Sequence, residues 1–324
     1  MRNTMSPRQD VGEAGLSVDP NPRMKAEQET TRPPMVIVWR NVFLSFMMNA
    51  LAVYALTLIP KAMWRTTLWG YAVLVVTDLG ITAGVHRLWA HRSYKARFPL
   101  KVLLAIFQTG AFQNSIFEWS RDHRVHHKYS DTDGDPHNAT RGFFFSHIGW
   151  LMVKKHPDVI AKGKQLDMSD LLNDKVVMFQ KRYYVLLVGV FWFAIPSLVP
   201  CYFWGETFYN SVHIAVFLRY CLGMHTSFLV NSYAHLRGMR PYDEKIRPAD
   251  NYIIALIANG EGFHNFHHTF PQDYATSELP WTLNLTSVFI DACAKLGLAY
   301  DLNKTSKDIV AKRAARTGQG SLKG

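Results

Sequence analysis

The sequence is poor in cysteine, and this scarcity excludes two kinds of protein. Three of the 324 residues are cysteine, namely Cys201, Cys221 and Cys293, and they are widely spaced. A disulfide framework and a cysteine-held iron–sulfur cluster are therefore not indicated. No GxGxxG motif follows a strand-like segment, so the chain shows no nucleotide site of its own for supplying electrons. Any redox chemistry would have to take its electrons from a partner protein.

Acidic residues are also in short supply. Lys and Arg number 36 against 25 Asp and Glu, which gives a formal charge of +11. Such a charge suits nucleic acid, anionic lipid or an acidic partner, but no basic stripe has the spacing of a nucleic-acid motif. We therefore expect no nucleic-acid partner, and a basic cytosolic face would attract an acidic electron carrier. Residues 1–35 lack the apolar core of a signal peptide and are expected to form a disordered cytosolic tail, and residues 319–324 a short C-terminal tail.

Four apolar stretches are long enough to cross a bilayer, which takes roughly 20 helical residues. They cover about 42–60, 68–85, 184–204 and 212–230. The second contains Asp78, and the fourth contains Arg219 and His225. Because charged groups at membrane depth face protein or a wet cavity, these two spans should line an interior. The sequence predicts an all-α integral membrane protein with four transmembrane helices.

A fifth apolar stretch, 99–117, decides the topology. Gln108, Gln113 and Asn114 interrupt it. If it crossed fully, histidines on either side of it would lie on opposite faces of the bilayer. If it enters partway or lies along the interface, all the histidine clusters share one face. The positive-inside bias places that face in the cytosol, where 86–183 and 231–318 would form a helical catalytic cap.

Histidine is the residue type that carries the chemistry. Nine of the fourteen histidines fall into four groups. They are His86 and His91 in HRLWAH, His123, His126 and His127 in HRVHH, His235 in NSYAH, and His264, His267 and His268 in HNFHH. Helical positions i, i+3 and i+4 share a face, so each HxxHH can present three imidazoles to one cavity. An i, i+5 pair does not share an α-helical face, so His91 is expected where the second span ends.

Nine candidate ligands exceed what one tetrahedral zinc site uses, so two metals are the simpler count. Without thiolate or haem-attachment motifs, the set fits non-haem iron that activates O₂. Hydrolytic zinc is the weaker alternative, because long apolar spans suggest a lipidic substrate. Five carboxylates near the clusters are either partners of ring N–H groups or solvated loop charges. They are Asp122, Asp131, Asp133, Asp135 and Glu261. The other five histidines are expected to be ordinary surface or hydrogen-bonded residues, and these are His137, His147, His156, His213 and His225.

A resemblance to the membrane fatty acyl-CoA desaturases of the stearoyl-CoA type, closest to insect members, rests on three segments and covers about 36–318. The segments are TAGVHRLWAHRSYKA, EWSRDHRVHHKYSDTDGDPHNATRGFFFSHIGW and GEGFHNFHHTFPQDY. The resemblance implies insertion of a cis double bond, of Δ9 or Δ11 type, into a saturated or monounsaturated fatty acyl-CoA. It implies O₂ as co-substrate, electrons from NADH through cytochrome b5 and its reductase, and a multi-pass place in the endoplasmic reticulum membrane with both termini cytosolic.

The same resemblance assigns roles to individual residues. It makes the nine grouped histidines the catalytic ligands of two Fe²⁺ ions, and it gives Asn231 a contact to one iron through water. Positions that resemble the family's CoA contacts are Asn41, Asn114, Arg121, Asp122, Lys154 and Lys155, for which plain surface charge is the alternative. Positions that resemble the bend of the acyl tunnel are Gln113, Trp119 and Ser227. A bent, rigid tunnel would fix which C–H bonds meet the irons.

Departures from the family pattern lie near the tunnel and not at the metals. Asp78 stands where a small neutral residue is usual, Phe228 where Trp is usual, Arg237 where an aromatic is usual, and Ile160 where Lys is common. The segment 247–250 varies with specificity in moth relatives. We therefore expect a specialised position for the double bond.

Two other functions remain open from the residues alone. A membrane di-iron hydroxylase or sterol-type oxidase would use the same iron chemistry but insert oxygen. A non-catalytic metal-binding or carrier protein would merely hold ions. Because the histidines cluster at the ends of spans and do not follow a path through them, transport is the weaker of these readings.

Overall fold

The computed structural model describes residues 33–319, so the expected tails at 1–35 and 319–324 fall almost wholly outside the described residues. The described chain is mostly helical, as predicted. Its helices are α1 Trp39–Leu56, α2 Trp64–Ala90, α3 Phe98–Ala111, α4 Ile116–Lys128, α5 Phe143–His147, α6 Pro157–Lys164, α7 Ser169–Asn173, α8 Lys175–Arg182, α9 Tyr184–Trp204, α10 Phe208–Leu236, α11 Tyr252–Ile257, α12 His264–Thr269, α13 Leu285–Lys295 and α14 Lys307–Thr317. Two antiparallel strands, β1 Lys95–Ala96 and β2 Ala299–Tyr300, join the cap's ends.

Three helices are long and apolar enough to cross a membrane: α2, α9 and α10. They correspond to the second, third and fourth predicted spans, and α2 and α10 run several residues beyond the predicted bounds. Helix α1 covers most of the first predicted span but is not among the three, so the expected count of four is not confirmed. Its first turn holds Arg40 and Asn41, and Asn49 lies within it, which lowers its apolar character.

The fifth apolar stretch forms a helix that is too short to cross a bilayer and then reverses direction. Helix α3 has 14 residues, or about 21 Å of helix, which is short of the roughly 30 Å hydrocarbon core. It ends in a tight turn, where Phe112 and Asn114 have positive φ. The Gln108 side chain donates to the Asn114 carbonyl at 2.7 Å and thereby holds this turn. The polar residues that interrupt the stretch therefore build a reversal, after which α4 begins.

The last eleven residues of α2 are π-helical, from Gly80 to Ala90. The His91 N–H donates to the His86 carbonyl at 3.0 Å, which is the i to i+5 bond of this geometry. A wider turn brings positions i and i+5 towards one face. The prediction from α-helical spacing was that His91 lies where the span ends, and His91 does follow the last helical residue. The π-helical turn, however, is what brings its ring beside that of His86.

Two close contacts pin α3 and α4 against α2. A side chain at Gly80 would meet the backbone of α3, since an added Cβ would lie 2.2 Å from the Gln108 nitrogen. On the other side, Arg124 of α4 donates to the carbonyls of Trp89 and Ala90 at the end of α2, at 2.8 and 3.0 Å. A cation at a helix C-terminus also favours the helix dipole. These contacts hold α3 and α4 close against α2.

Candidate metal centre

Helix α4 supplies the central histidine triplet. The Ser115 side chain caps its first turn, and Glu118 returns the contact as a capping box. His123, His126 and His127 then follow at i, i+3 and i+4, so their rings leave one side of the helix. Helix α12 begins at His264 and carries the second triplet in the same spacing. Both triplets are therefore helical, as the spacing predicts.

The structure gathers the nine grouped histidines into two groups. Within each group, the ring nitrogens that could bind a metal lie within 4.8 Å of one another. The first group contains His86, His91, His123, His127 and His267. The second group contains His126, His235, His264 and His268. The groups adjoin each other, because the rings of His127 and His268 stack at 4.1 Å between centroids.

Nε2 atoms face one another in both groups. In the first, His86 and His127 each place Nε2 3.0 Å from that of His267, and the His91 and His123 Nε2 atoms are 2.8 Å apart. In the second, the His264 Nε2 lies 3.0 Å from that of His235 and 3.1 Å from that of His268. The arrangement directs the ring nitrogens to two common centres.

Carboxylates fix the tautomer of three of these rings. The Nδ1 of His86 lies 2.9 Å from Glu261, that of His126 lies 2.9 Å from Asp135, and that of His235 lies 3.2 Å from Asp131. A carboxylate accepts a hydrogen bond, so each Nδ1 carries the proton and each Nε2 presents its lone pair inwards. Three of the five carboxylates considered in the sequence thus contact ring nitrogens. Asp122 instead pairs with Arg121 and Lys155.

Two arginines that sequence reasoning missed support this arrangement. Arg87 is fully buried and donates to the Glu261 Oε1 at 2.9 Å, so one carboxylate joins it to His86. Arg124 holds the end of α2 as described above and pairs with Asp170. A signal for both lay in the sequence, because each arginine directly follows a boxed histidine, in HRLWAH and HRVHH. Buried cations beside metal-binding imidazoles are expected only where a carboxylate offsets them.

The amide of Asn265 positions α12. This buried side chain accepts from the N–H groups of Tyr242 and Asp243 and donates to the carbonyls of Asp243 and Pro248. Asp250 accepts from the N–H groups of Asn265 and Phe266 at the start of the helix. The segment 247–250, singled out in the sequence for its variability, therefore anchors the third histidine box.

Six of the imidazoles outside the long helices are held neutral, whereas for His126 the contact with Asp135 outweighs burial and raises the pKa. Burial, together with the neighbouring rings, keeps the pKa of six of them well below the usual 6.5; these are His91, His123, His127, His264, His267 and His268. For Glu261, burial raises the pKa, but His86 and Arg87 outweigh it and bring the value to about 2. Neutral rings and ionised carboxylates are the protonation states that metal binding requires.

The donor set fits two metal ions. Two nitrogens about 2.1 Å from one ion and at right angles to each other lie about 3.0 Å apart, which matches the spacings in both groups. The Nε2 of His126 is buried, belongs to the second group and has no hydrogen-bond partner among the described residues. Rings whose hydrogen bonds are left unmade in a protein interior are costly unless a ligand completes them.

Two adjoining cavities border the histidines. The larger, of about 270 Å³, reaches His123, and the smaller, of about 50 Å³, reaches His86, His123 and His264. Four residues line both: Trp119, His123, Ser227 and Asn231. Trp119 stacks on the His123 ring at 4.8 Å. We call the two spaces the outer and the inner cavity, and they meet beside the histidine groups.

Most of the residues expected to contact substrate lie on the outer cavity. Gln113, Asn114, Trp119, Asp122 and Ser227 line it, as does Asn231. The Gln113 amide donates to the Ser227 hydroxyl at 3.1 Å and joins two walls. The structure does not place the remaining expected contacts, Asn41, Arg121, Lys154 and Lys155, in the lining. Arg121 and Lys155 flank Asp122 at its rim, Lys154 is exposed, and Asn41 donates to the Leu151 carbonyl.

His137 is the cavity residue that sequence reasoning set aside. It is buried, lines the outer cavity and lies 3.4 Å from Asp135. Its backbone N–H donates to the Asp135 Oδ1 at 3.0 Å, but its ring Nδ1 is buried without a hydrogen-bond partner among the described residues. It is therefore an interior residue beside the carboxylate that also contacts His126. His147 and His225 bond each other at 2.9 Å between α5 and α10, away from the two groups.

The departures from the family pattern divide into two sets. Phe228 lines the outer cavity and Asp78 the inner one. Arg237 and Ile160 are exposed and line neither. Any effect on the shape of the cavities is therefore expected from the first two.

Comparison with known proteins agrees with this site. The fatty acid desaturase family model matches residues 63–284, a range that includes all nine grouped histidines. The chain is 54% identical over 297 residues to stearoyl-CoA desaturase of Homo sapiens, covering 92% of this chain and 83% of that protein. It is 57% identical over 285 residues to stearoyl-CoA desaturase 5 of Bos taurus, covering 88% and 85%. For acyl-CoA desaturase of Cyprinus carpio the identity is 55% over 296 residues, covering 91% and 90%. These three are vertebrate proteins, so the nearness to insect members stays a prediction. By the extent of the family match and by these identities, the chain belongs to the fatty acid desaturase family.

Proposed function

We propose that the protein is an acyl-CoA desaturase, which introduces a cis double bond into a saturated or monounsaturated fatty acyl-CoA. The observation that carries the proposal is the convergence of two imidazole groups beside a largely apolar cavity. Two hydrogens leave the acyl chain, and together with two electrons and two protons from a donor they reduce O₂ to two waters. Identity above 50% to stearoyl-CoA and acyl-CoA desaturases over most of the chain supports the same activity.

Iron fits the two groups in kind and number. The five rings of the first group would hold one Fe²⁺, the four rings of the second would hold another, and Asn231 would reach one of the two ions through water. Imidazole nitrogen is a suitable ligand for iron, and the oxygen activation would come from the bound metals. Glu261, Asp135 and Asp131 keep the proton on Nδ1 of their histidines, which leaves Nε2 free to bind.

The cavity residues would hold and orient the acyl chain. The ring of Trp119 lies against His123, and the Gln113–Ser227 hydrogen bond closes the wall opposite. A chain threaded between them would have few rotational states, so one pair of carbons would be presented at the metals. The lining also excludes bulk water from the reacting carbons. The position of the double bond, at Δ9 or Δ11, follows from how far the chain reaches past Trp119.

The rim of the outer cavity suits the CoA part. Arg121 and Lys155 flank Asp122, and Lys154 is exposed beside them. Cationic side chains form charge-assisted bonds with phosphates. We propose that these residues, with Asn41 and Asn114, receive the CoA phosphates and the polar part of CoA, so that the acyl chain runs inwards to the histidines.

A bilayer setting follows from the long apolar helices. We propose that α1 joins α2, α9 and α10 as a fourth membrane span, with the histidine-bearing cap on the cytosolic face of the endoplasmic reticulum and both termini in the cytosol. Electrons would come from NADH through cytochrome b5 and its reductase, since the described residues hold no redox site besides the histidine groups. A basic cytosolic face favours an acidic carrier.

Expression in a yeast that lacks its own Δ9 desaturase tests the proposal. New double bonds located in the lipids by mass spectrometry are the expected result, and the variant His126→Ala should insert in the membrane but form none. A hydroxylated lipid without a new alkene would instead identify a hydroxylase or sterol-type oxidase. Many exchangeable ions bound without oxygen consumption would identify a metal-binding carrier.

A further inference from the structure

A buried cation lies within α10, one of the three helices long enough to cross a membrane. Arg219 is 2% exposed and is not among the residues that line the outer or the inner cavity. Asp78 of α2 attracts it and offsets part of its charge. A charged side chain at membrane depth is costly, and such residues usually face protein and mark a functional part of the molecule.

The Arg219 guanidinium holds the C-terminal end of α3. One of its nitrogens donates to the Gly110 carbonyl at 3.0 Å. This carbonyl lies in the last turn of α3, where carbonyls have no donor from within the helix, and a cation there also favours the helix dipole. The other bonds run to the Ala215 carbonyl of α10 at 2.8 Å, and to the Thr77 Oγ1 of α2 and the Trp192 carbonyl of α9, both at 3.3 Å. One side chain thus joins four helices.

The end of α3 is confined on its other sides as well. Gly110 packs against α2, since an added Cβ would lie 2.8 Å from the Thr77 Cγ2. The buried Gln180 of α8 donates to the Gln108 Oε1 at 2.9 Å and to the Thr109 Oγ1 at 3.1 Å. Packing therefore limits how close α3 can come to α2, whereas the bonds from Arg219 oppose a movement away from it.

The residues that follow α3 form a wall of the outer cavity. Phe112, Gln113 and Asn114 make the turn and line this cavity. The Gln113 amide donates to Ser227, which lies eight residues after Arg219 on α10. Helix α10 therefore holds α3 and its turn at two points, about 12 Å apart along the helix axis.

We propose that Arg219 is a positioning residue that sets where the wall of the outer cavity lies relative to the histidine groups, and hence which carbons are desaturated. This step rests on the proposed desaturase function. Arg219 fixes the backbone at the end of α3 and acts on the acyl chain through the turn at Gln113. Without its bonds the turn would take several positions, and a misplacement of about 1 Å can lower a rate about 100-fold. Different carbons would then meet the metals in different molecules.

The decisive variant is Arg219→Met, because methionine is also long and unbranched but donates no hydrogen bond. One readout is the ratio of double bonds at the main position to those at neighbouring carbons, and the second is hydrogen exchange of the backbone amides of 108–114. We expect the Met variant to lower the ratio about tenfold and to speed the exchange about tenfold, with iron per chain as in the wild type. Arg219→Lys keeps the charge and some donors, so its ratio should return to within about threefold of the wild type.

Glu206→Gln is the matched control. Glu206 is also buried, and its bonds join Met63 and Thr66 to Asn210, away from α3. This variant should lower the unfolding temperature but leave the ratio and the exchange of 108–114 unchanged. A Met variant that forms less product, yet places its double bonds as the wild type does, would have lost stability alone, and this result overturns the inference.

Thr77→Val provides a second test that does not depend on folding of the Met variant. Valine has the shape of threonine but cannot accept the bond from Arg219, so the ratio should fall about threefold. Thr57→Val is its control, because the Thr57 hydroxyl donates to the Tyr54 carbonyl of its own helix. Equal ratios in these two variants would refute the role of Arg219. Failure of the proposed function is a different result, because the wild type would then form no double bond at all.

Discussion

The variant Glu261→Gln tests the central feature of the site, the carboxylate that joins Arg87 to His86. The Glu261 Oε2 lies 2.9 Å from the His86 Nδ1, and its Oε1 accepts from Arg87 at 2.9 and 3.2 Å. In the variant the amide oxygen can still face Arg87. The amide NH₂ then faces His86, whose Nδ1 must accept. The ring proton therefore moves to Nε2, and His86 can no longer bind a metal through that atom.

Two magnitudes follow from this geometry. Loss of the group that accepts a hydrogen bond from the other ring nitrogen of a metal-binding histidine lowers metal affinity about 10- to 100-fold. Removal of one charge from a buried ion pair costs about 3–5 kcal/mol of folding stability, here reduced because Arg87 also donates to Tyr274 and Ser287. We expect the variant to lose metal from the first histidine group and to keep it in the second, so that its iron content approaches half that of the wild type.

The assay is iron per chain by mass spectrometry of metals, after dialysis against a graded series of chelator concentrations. Glu206→Gln is the matched control, because Glu206 is equally buried but contacts Met63, Thr66 and Asn210 at the other end of the spans and no histidine. It should lower the unfolding temperature without changing iron content. Iron retention in Glu261→Gln equal to wild type at every chelator concentration would refute the tautomer reasoning.

Three further outcomes are expected. Gly80→Ala should destabilise the protein by about 1–3 kcal/mol in denaturant unfolding, because a Cβ there would collide with the backbone of α3 at Gln108, and an unchanged midpoint would contradict that contact. Burial raises the pKa of Asp250 to about 7 from 3.8, so its contribution to stability is present below about pH 4 and is lost as the pH rises to 7. The free energy of unfolding of Asp250→Asn should therefore exceed that of the wild type by up to about 4 kcal/mol at pH 8. A difference between the two proteins that is the same at pH 4 and at pH 8 would disprove the raised pKa. Lys155→Ala should raise KM for acyl-CoA about fivefold with little change in kcat, because the contact is the same in the bound substrate and in the transition state. The control variant Lys307→Ala, at an exposed lysine, should leave KM unchanged.

Local patterns carried most of what the sequence could predict. The triplets at 123–127 and 264–268 could be predicted to share one helical face, because the positions i, i+3 and i+4 are brought together by helix geometry alone. The reversal after α3 was also foreseeable, since Gln108, Gln113 and Asn114 cannot face lipid. What these predictions share is that each depends on residues within one or two helical turns of each other.

Partners distant in sequence were not foreseeable in the same way. Glu261 is 174 residues from Arg87, and Asn265 holds the chain at Tyr242 and Pro248 through four hydrogen bonds. The local sequence does not determine which carboxylate contacts which ring. For this reason five carboxylates were considered, of which three contact histidines. The π-helical end of α2 was missed for a related reason, because its wide turn is stabilised by packing against α3 and α4 and not by residue preference.

The same division between local and distant contacts explains how the protein can vary its specificity without losing its chemistry. The ring nitrogens are fixed by helix spacing, by buried carboxylates and by Arg87. Asp78 and Phe228 lie on walls of the cavities and contribute no nitrogen to either group. A change at these two positions alters the space and polarity that an acyl chain meets, while the donor set stays as it is. Substitutions in the walls should therefore redirect the reaction, and substitutions in the carboxylates should abolish it.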